Sequence, residues 1–314
     1  MKTKIKKLLF EYTRNSRITT KELGKRIGSS QQSASYILNI LKKKKMIESS
    51  TPIVDAVKFG FVNVLVGINF IKTDQEIEKE VIDELKTINS ISGIEECKEG
   101  VDLLIDYITP NLSAFNKIHL EIIDRFSNKL RAVFVYPVIV NHEYFKNYLV
   151  RKYDYTDIIL FGDRELVEIS KDETRILSEL IKNPEKKLID IVEFSSIPIK
   201  SVINIKRYLE KRSIIRGYTS ILNNIKLAIN REIILLKFFG EGIREIDKFS
   251  DYSKYNKNII KFQKLIGEYQ VCIVVESLDE INIIKEIREN FPIDNYRIMK
   301  SEKIHKKIYL PIDE

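Results

Sequence analysis

Apolar residues at the amino end recur at helical spacing. Ile5, Leu8, Leu9 and Tyr12 stand at i, i+3, i+4 and i+7, and Ala34, Ile37, Leu38 and Leu41 form a second such stripe. Between them "TTKE" gives Thr19 and Glu22 the spacing of a capping box, which predicts a short helix ending at Gly28. Ser29 or Ser30 can cap the helix that follows. Three such helices, the second and third joined by a tight turn, predict a helix-turn-helix, and the extended "SSTPIV" after "MIE" predicts a wing.

From Val62 the periodicity changes. The chain then reads strand ("VNVLVGINF"), helix ("DQEIEKEVIDELKTI"), strand ("SGIEECKE"), strand ("DLLIDYIT"), helix ("LSAFNKIHLEIIDRF") and strand ("RAVFVYPVIV"). A β-α-β-β-α-β order is ferredoxin-like: an antiparallel sheet with both helices on one face. The other face must find a partner, because a large bare apolar face is unstable in water.

All of this occurs twice. A shift of 168 positions pairs Leu9 with Leu177, Glu11 with Glu179, Ser33 with Ser201, Ile37 with Ile205, Leu41 with Leu209, Ile47 with Ile215 and Thr51 with Thr219. The second copy opens on a capping box at Ser170 and Glu173, continues with Ile176, Leu177, Leu180 and Ile181, and starts its third helix at Pro198, with Val202, Ile205 and Leu209 as its stripe. "EIILLKFF", "IREIDKFSDYSKY", "IIKFQKLI", "YQVCIVVES", "LDEINIIKEIRENF" and "NYRIMKSEKI" then repeat the strand and helix order. The expected organisation is α+β in five parts: winged helix-turn-helix 1 (1–58), ferredoxin-like domain 1 (59–141), connector (142–169), winged helix-turn-helix 2 (170–228) and ferredoxin-like domain 2 (229–314).

Charge sharpens this picture. The chain of 314 residues carries a net charge of +8, but residues 1–50 hold 13 Lys/Arg against 3 Asp/Glu while residues 51–169 hold 13 against 20. The basic segment would attract a polyanion, and the acidic block after it would not. Residues 170–219, with 11 against 7, are basic again. No apolar run reaches membrane-spanning length, and "MKTKIKKLLFEY" has too short an apolar stretch for a secretory signal. Cys97 and Cys272 are the only cysteines, which fits free thiols and a cytoplasmic location. His119, His142 and His305 stand far apart without ligand spacing, so neither a metal nor a cofactor is expected.

The basic helix ending in "LEKRSIIRGYTSIL" and the hairpin "GEYQVCIVVES" resemble the Lrp/AsnC (feast/famine) family of transcriptional regulators. "EGVDLLIDYIT" is the first-copy counterpart, with Asp102 at the family's Asp and Val101 in place of its Tyr; the second copy keeps Tyr269 but has Gln270 for the Asp. The connector "HEYFKNYLVRKYDYTDIILFGDRELVEIS" looks like that of tandem archaeal members. The resemblance implies a winged helix-turn-helix, and an effector domain that dimerises through its sheet and often binds amino acids. It departs from the family where an Arg-Ile usually precedes the last Leu of the recognition helix, because here those places read Ile37-Leu38 and Ile205-Lys206.

These readings make the protein a sequence-specific regulator that binds double-stranded DNA. Ser30, Gln31, Gln32, Ser33, Ser35, Tyr36 and Asn39 lie off the apolar stripe, where Gln or Asn can pair with adenine, and Lys42, Lys43, Lys44 and Lys45 are placed for phosphates. In the second copy Ile197, Pro198 and Ile199 occupy reader positions, leaving Lys200, Ser201, Asn204, Arg207, Lys211 and Arg212. The family's ligand site carries over to Gly100, Asp102, Gly267 and Tyr269, with an amino acid as the effector; the alternative is that these are turn and strand residues. A dimer of tandem chains and an intrachain pseudo-dimer both fit. Two rivals stand beside the regulator. One is a siroheme decarboxylase-like enzyme of the same layout, whose His-Asn-Tyr-x-Arg signature is absent. The other is a protein-binding adaptor that has lost DNA reading.

Overall fold

The computed structural model describes residues 1–72, 74–240 and 243–311. The first helix-turn-helix comprises α1 (Thr3–Arg14), α2 (Thr20–Ile27) and α3 (Gln31–Lys43), followed by wing strand β1 (Ile47–Val54). Leu8, Leu9, Leu23, Ala34, Leu38 and Leu41 bury into one core, as the two stripes require. Next come β2 (Val62–Phe70), α4 (Gln75–Thr87), β3 (Ile91–Glu99), β4 (Leu103–Thr109), α5 (Leu112–Arg125) and β5 (Leu130–Tyr144). After β6 (Asp157–Phe161) the order repeats as α6 (Lys171–Lys182), α7 (Leu188–Ser195), α8 (Ile199–Lys211), wing strand β7 (Ile215–Leu222) and the short α9 (Asn224–Leu227). The second ferredoxin-like unit is β8 (Asn230–Phe238), α10 (Ile243–Tyr255), β9 (Ile259–Leu265), β10 (Val271–Ser277), α11 (Ile283–Asn290) and β11 (Ile293–Lys307).

Within each unit the strand order is ferredoxin-like, β5-β2-β4-β3 and β11-β8-β10-β9. The two sheets then join at both edges, β3 to β11 and β9 to β5, and all pairs are antiparallel. The result is a closed ring of eight strands, which leaves neither sheet with a free edge. The partner that each bare sheet face needs is the other repeat. Leu65, Leu104, Phe134 and Tyr136 meet Leu235, Cys272, Val274 and Met299 inside the ring. Outside it, Val81, Leu85, Phe115 and Ile122 cover the first sheet, and Phe249, Ile283 and Ile287 cover the second. Both cysteines are free and buried, and burial pushes the Cys272 thiol up to about 12.

The wings form a two-stranded antiparallel ribbon in which Thr51 faces Thr219 and Ser50 faces Ser220. Thr51 and Thr219 are equivalent under the 168-residue shift, so the pseudo-twofold axis passes between them. Each helix-turn-helix leans on the wing of the other repeat: the Ser16 N–H donates to the Tyr218 carbonyl at 3.1 Å and Thr219 Oγ1 to the Thr13 carbonyl at 2.7 Å, while Ile53 and Val54 of the first wing share a core with Ile176 and Leu177 of the second helix-turn-helix.

Three expectations of extent differ, the first being β11, expected over 295–304 and observed over Ile293–Lys307. The last helix is shorter than residues 278–291, because the Asn282 side chain accepts the Lys285 N–H at 3.1 Å and caps the helix there. The 142–169 segment is more than a connector. β5 runs on to Tyr144, and β6 pairs with it and buries Leu160 and Phe161 in the core of the second helix-turn-helix. The final residues, 312–314, of the range expected for the second ferredoxin-like unit lie outside the described residues.

One seam of the ring is ionic. Arg231, 8% exposed, donates through Nε to Glu95 at 2.6 Å and through Nη1 to Glu276 at 2.7 Å. Glu276 also accepts from Lys146 Nζ at 2.5 Å and Tyr148 Oη at 2.7 Å, so the second repeat and the segment before it meet at this carboxylate, and Arg231 links it to Glu95 of the first repeat. Burial opposes its charge, yet the two cations and the hydrogen bonds hold Glu276 down at about 2.

Candidate nucleic-acid interface

The geometry of the first reading helix follows from its caps. Thr19 accepts the Glu22 N–H and starts α2, Gly28 ends it at φ +66, and Ser30 accepts the Ser33 N–H to start α3. A left-handed residue between the helices favours glycine. With Ala34, Leu38 and Leu41 turned inward, Gln31, Gln32, Tyr36 and Asn39 face solvent, and Ser33 and Ser35 are half-buried beside them. Tyr36 is 68% exposed. Gln31 Nε2 donates to Thr20 Oγ1 at 3.3 Å, which brings the starts of α2 and α3 together on this open face.

The lysines divide into two groups. Lys43, Lys44 and Lys45 are exposed at the end of α3, suited to phosphates, and Lys45 at φ +52 turns the chain into the wing. Lys42 is different: it pairs with Glu185 of the second repeat and lies 5.1 Å from the Tyr12 ring centroid. Burial works against its charge, but Glu185 and Tyr12 outweigh that and raise its pKa. Glu185 also accepts from Tyr12 Oη at 2.8 Å and Ser50 Oγ at 2.6 Å. Lys42 thus belongs to the junction between repeats rather than to the open face. Sequence position alone gave no sign of this, since its partner lies in a loop of the other copy.

In the second copy, Lys200, Ser201, Asn204, Arg207, Lys211 and Arg212 are all exposed along α8. Pro198 is its N-cap and makes no side-chain cap bond, and Ser213 at φ +55 repeats the Lys45 turn.

The effector set sits in the two hairpins of the ring. Gly100 is at φ +89 and a Cβ there would meet the Ile298 carbonyl at 2.5 Å; Gly267 is at φ +149 and a Cβ would meet the Tyr136 ring at 2.4 Å. Each hairpin glycine is therefore pressed against the last strand of the opposite repeat. Asp102 accepts the Phe70 N–H at 2.7 Å, and Gln270 accepts the equivalent Phe238 N–H at 3.0 Å. The Asp-to-Gln exchange between copies keeps the same bond. Tyr269 is buried in the ring, edge-on to Tyr136 at 6.2 Å. The histidines are dispersed: His119 stacks on Phe115, His142 Nδ1 lies 2.9 Å from Asp157, and His305 Nε2 lies 2.6 Å from Glu96. Among the described residues no group of three or more His, Cys, Asp or Glu is placed to hold a metal, and no helix is long and apolar enough to cross a membrane.

Comparison with known proteins agrees with this anatomy. Residues 1–48 match the family described as winged helix-turn-helix DNA-binding. No curated protein matches the chain. Among solved structures, the siroheme decarboxylase NirDL is similar over 99% of this chain and 94% of its own, at 14% identity and a TM-score of 0.60. Its complex with an iron-uroporphyrin III analogue gives 98%, 94%, 14% and 0.58. An AsnC family transcriptional regulator from Agrobacterium tumefaciens matches over 55% of this chain and 98% of its own, at 16% identity and a TM-score of 0.37. The fold class is thus a fused pair of winged-helix and ferredoxin-like units. Within that class, the part that matches the winged helix-turn-helix DNA-binding family runs from α1 to the start of β1.

Proposed function

We propose that the protein is a DNA-binding transcriptional regulator that reads duplex DNA with its first helix-turn-helix. The observation that carries this is the open face of α3, where Gln31, Gln32, Tyr36 and Asn39 face solvent and exposed lysines follow at the helix end. Gln31, Gln32, Ser33, Ser35, Tyr36 and Asn39 read base edges, Ser30 starts the helix, and Lys43, Lys44 and Lys45 hold phosphates. The set Gly100, Asp102, Gly267 and Tyr269 serves the ring. A small-molecule effector, an amino acid included, regulates only by favouring one relative placement of the two helix-turn-helix units.

Fluorescence anisotropy with duplex DNA at several salt concentrations tests the reading. Replacing Gln31 and Gln32 by Ala should cost about 1–3 kcal/mol on the preferred sequence and little on random duplex. Replacing Lys43, Lys44 and Lys45 by Ala should weaken all duplexes and flatten the salt dependence. Absence of any duplex binding at low ionic strength ends the proposal.

The whole-chain fold likeness to NirDL favours a second reading, an enzyme acting on a related tetrapyrrole. Against it stand the separated histidines, each held by a neighbour. Titration with iron-uroporphyrin III decides: a saturable absorbance shift supports the enzyme, and an unchanged spectrum removes it.

A further inference from the structure

The two helix-turn-helix units share a backbone plan but not a surface. Under the 168-residue shift, Thr20 corresponds to Leu188, Lys21 to Ile189, Lys25 to Glu193, Ser30 to Pro198 and Gln31 to Ile199. In the first unit these positions form the hydrogen-bonding face where Gln31 meets Thr20. In the second, both of those partners are apolar. Ile189 is 57% exposed, Pro198 is exposed, and Leu188 and Ile199 are half-buried beside them. Neither α7 nor α8 receives a side-chain cap bond at its start.

Such a face is poorly matched to a DNA groove. An isoleucine pressed onto base edges desolvates their donors and acceptors without replacing the lost bonds, and only the thymine methyl group suits it. Glu193, exposed on α7 in place of a lysine, repels phosphates and would repel carboxylates on that helix equally. Next to the patch in sequence stand the exposed Lys187 and Lys200, and Arg207 and Lys211 continue from Lys200 at helical spacing, so the cationic edge that can meet a partner's carboxylates runs along α8 rather than along α7 with its Glu193. Apolar centre and cationic rim call for a partner of the opposite pattern.

We propose that the second helix-turn-helix is a protein-docking surface. Leu188, Ile189, Pro198 and Ile199 receive an apolar side chain of an acidic amphipathic segment from another protein, and Lys200, Arg207 and Lys211 pair its carboxylates. The inference is independent of DNA reading by α3, because it concerns a different face of the chain and is measured without DNA.

The probe is a short fluorescein-labelled peptide with Leu and Phe at i, i+3, i+4 and i+7 on a Glu background, compared with the same peptide carrying Lys for every Glu. Full-length protein should bind the acidic peptide in preference to the basic one. The pair Ile189→Lys and Ile199→Gln, which restores the first-copy residues, should weaken that binding by about tenfold or more. Arg207→Glu with Lys211→Glu should weaken it as well. Because Ile199 is half-buried, Ile189→Lys alone is a second variant whose fold is not at risk, and circular dichroism checks both. Methyl-labelled isoleucine spectra should show the Ile189 and Ile199 signals moving on peptide addition. Four outcomes overturn the proposal: no preference for the acidic peptide, unchanged binding by the isoleucine variants, movement of those methyl signals with duplex DNA instead, or self-association of the chain through this face.

Discussion

Arg231 shows what a single residue commits the molecule to. Its guanidinium is buried between Glu95 of one repeat and Glu276 of the other, and at the positions equivalent to Arg231 and Glu95 the chain has Asn63 and Gln263. At these equivalent positions the duplicated ring therefore carries charge on one side of its pseudo-twofold axis and amides on the other. Removing one member of a buried ionic group leaves the rest uncompensated, so Arg231→Ala should cost about 3–5 kcal/mol in a urea titration. Glu276 gives the pH dependence. Its pKa lies at about 2 in the folded protein against an ordinary 4.5, so the stability it contributes is complete above about 4.5 and drains away as pH falls toward 2. Glu276→Gln should flatten the acid limb of stability against pH over that window. None of this was legible in the sequence. An Arg and a Glu in two strands look like ordinary surface residues until the ring closes over them.

Among the elements, α3 and α8 present different surfaces: Gln31 stands where the second copy has Ile199, and Ser30 where it has Pro198. The stripe, the caps and the turn of α3 were all readable, because helix periodicity and capping are local. The Lys42 assignment was not, since Glu185 reaches it from a loop of the other repeat. That contact makes a prediction about binding. Glu185→Gln should release Lys42 toward the phosphates and steepen the salt dependence of duplex binding by about one unit of log–log slope. It should also cost about 1 kcal/mol of stability through the weakened bonds to Tyr12, Ser50 and Lys42. Unchanged salt dependence would show that Lys42 stays out of reach of DNA. The misjudged extents have local causes of a different kind: Asn282 caps α11 late, and the apolar "DIILF" found a strand to pair with that the sequence alone did not supply.

For the whole molecule, the decisive feature is that neither repeat owns a complete core. The ring interior takes residues from both units, and each helix-turn-helix rests on the other's wing. Unfolding of the ring should accordingly be one cooperative event, with near-ultraviolet and far-ultraviolet circular dichroism transitions coinciding in urea; separate transitions for the two ferredoxin-like units would contradict a shared core.

By itself the sequence determined the order of the repeated elements, though not β6 or α9, together with the duplication and the basic amino end, because periodicity, capping and charge are properties of neighbouring residues. Only the tertiary structure decided that the two sheets close into one ring, that the pseudo-twofold axis passes between Thr51 and Thr219, and that Lys42, Arg231 and Glu276 are claimed by partners from elsewhere in the chain. Those outcomes depend on which distant surfaces meet, and that is fixed by complementary shape and burial across the repeats rather than by anything local.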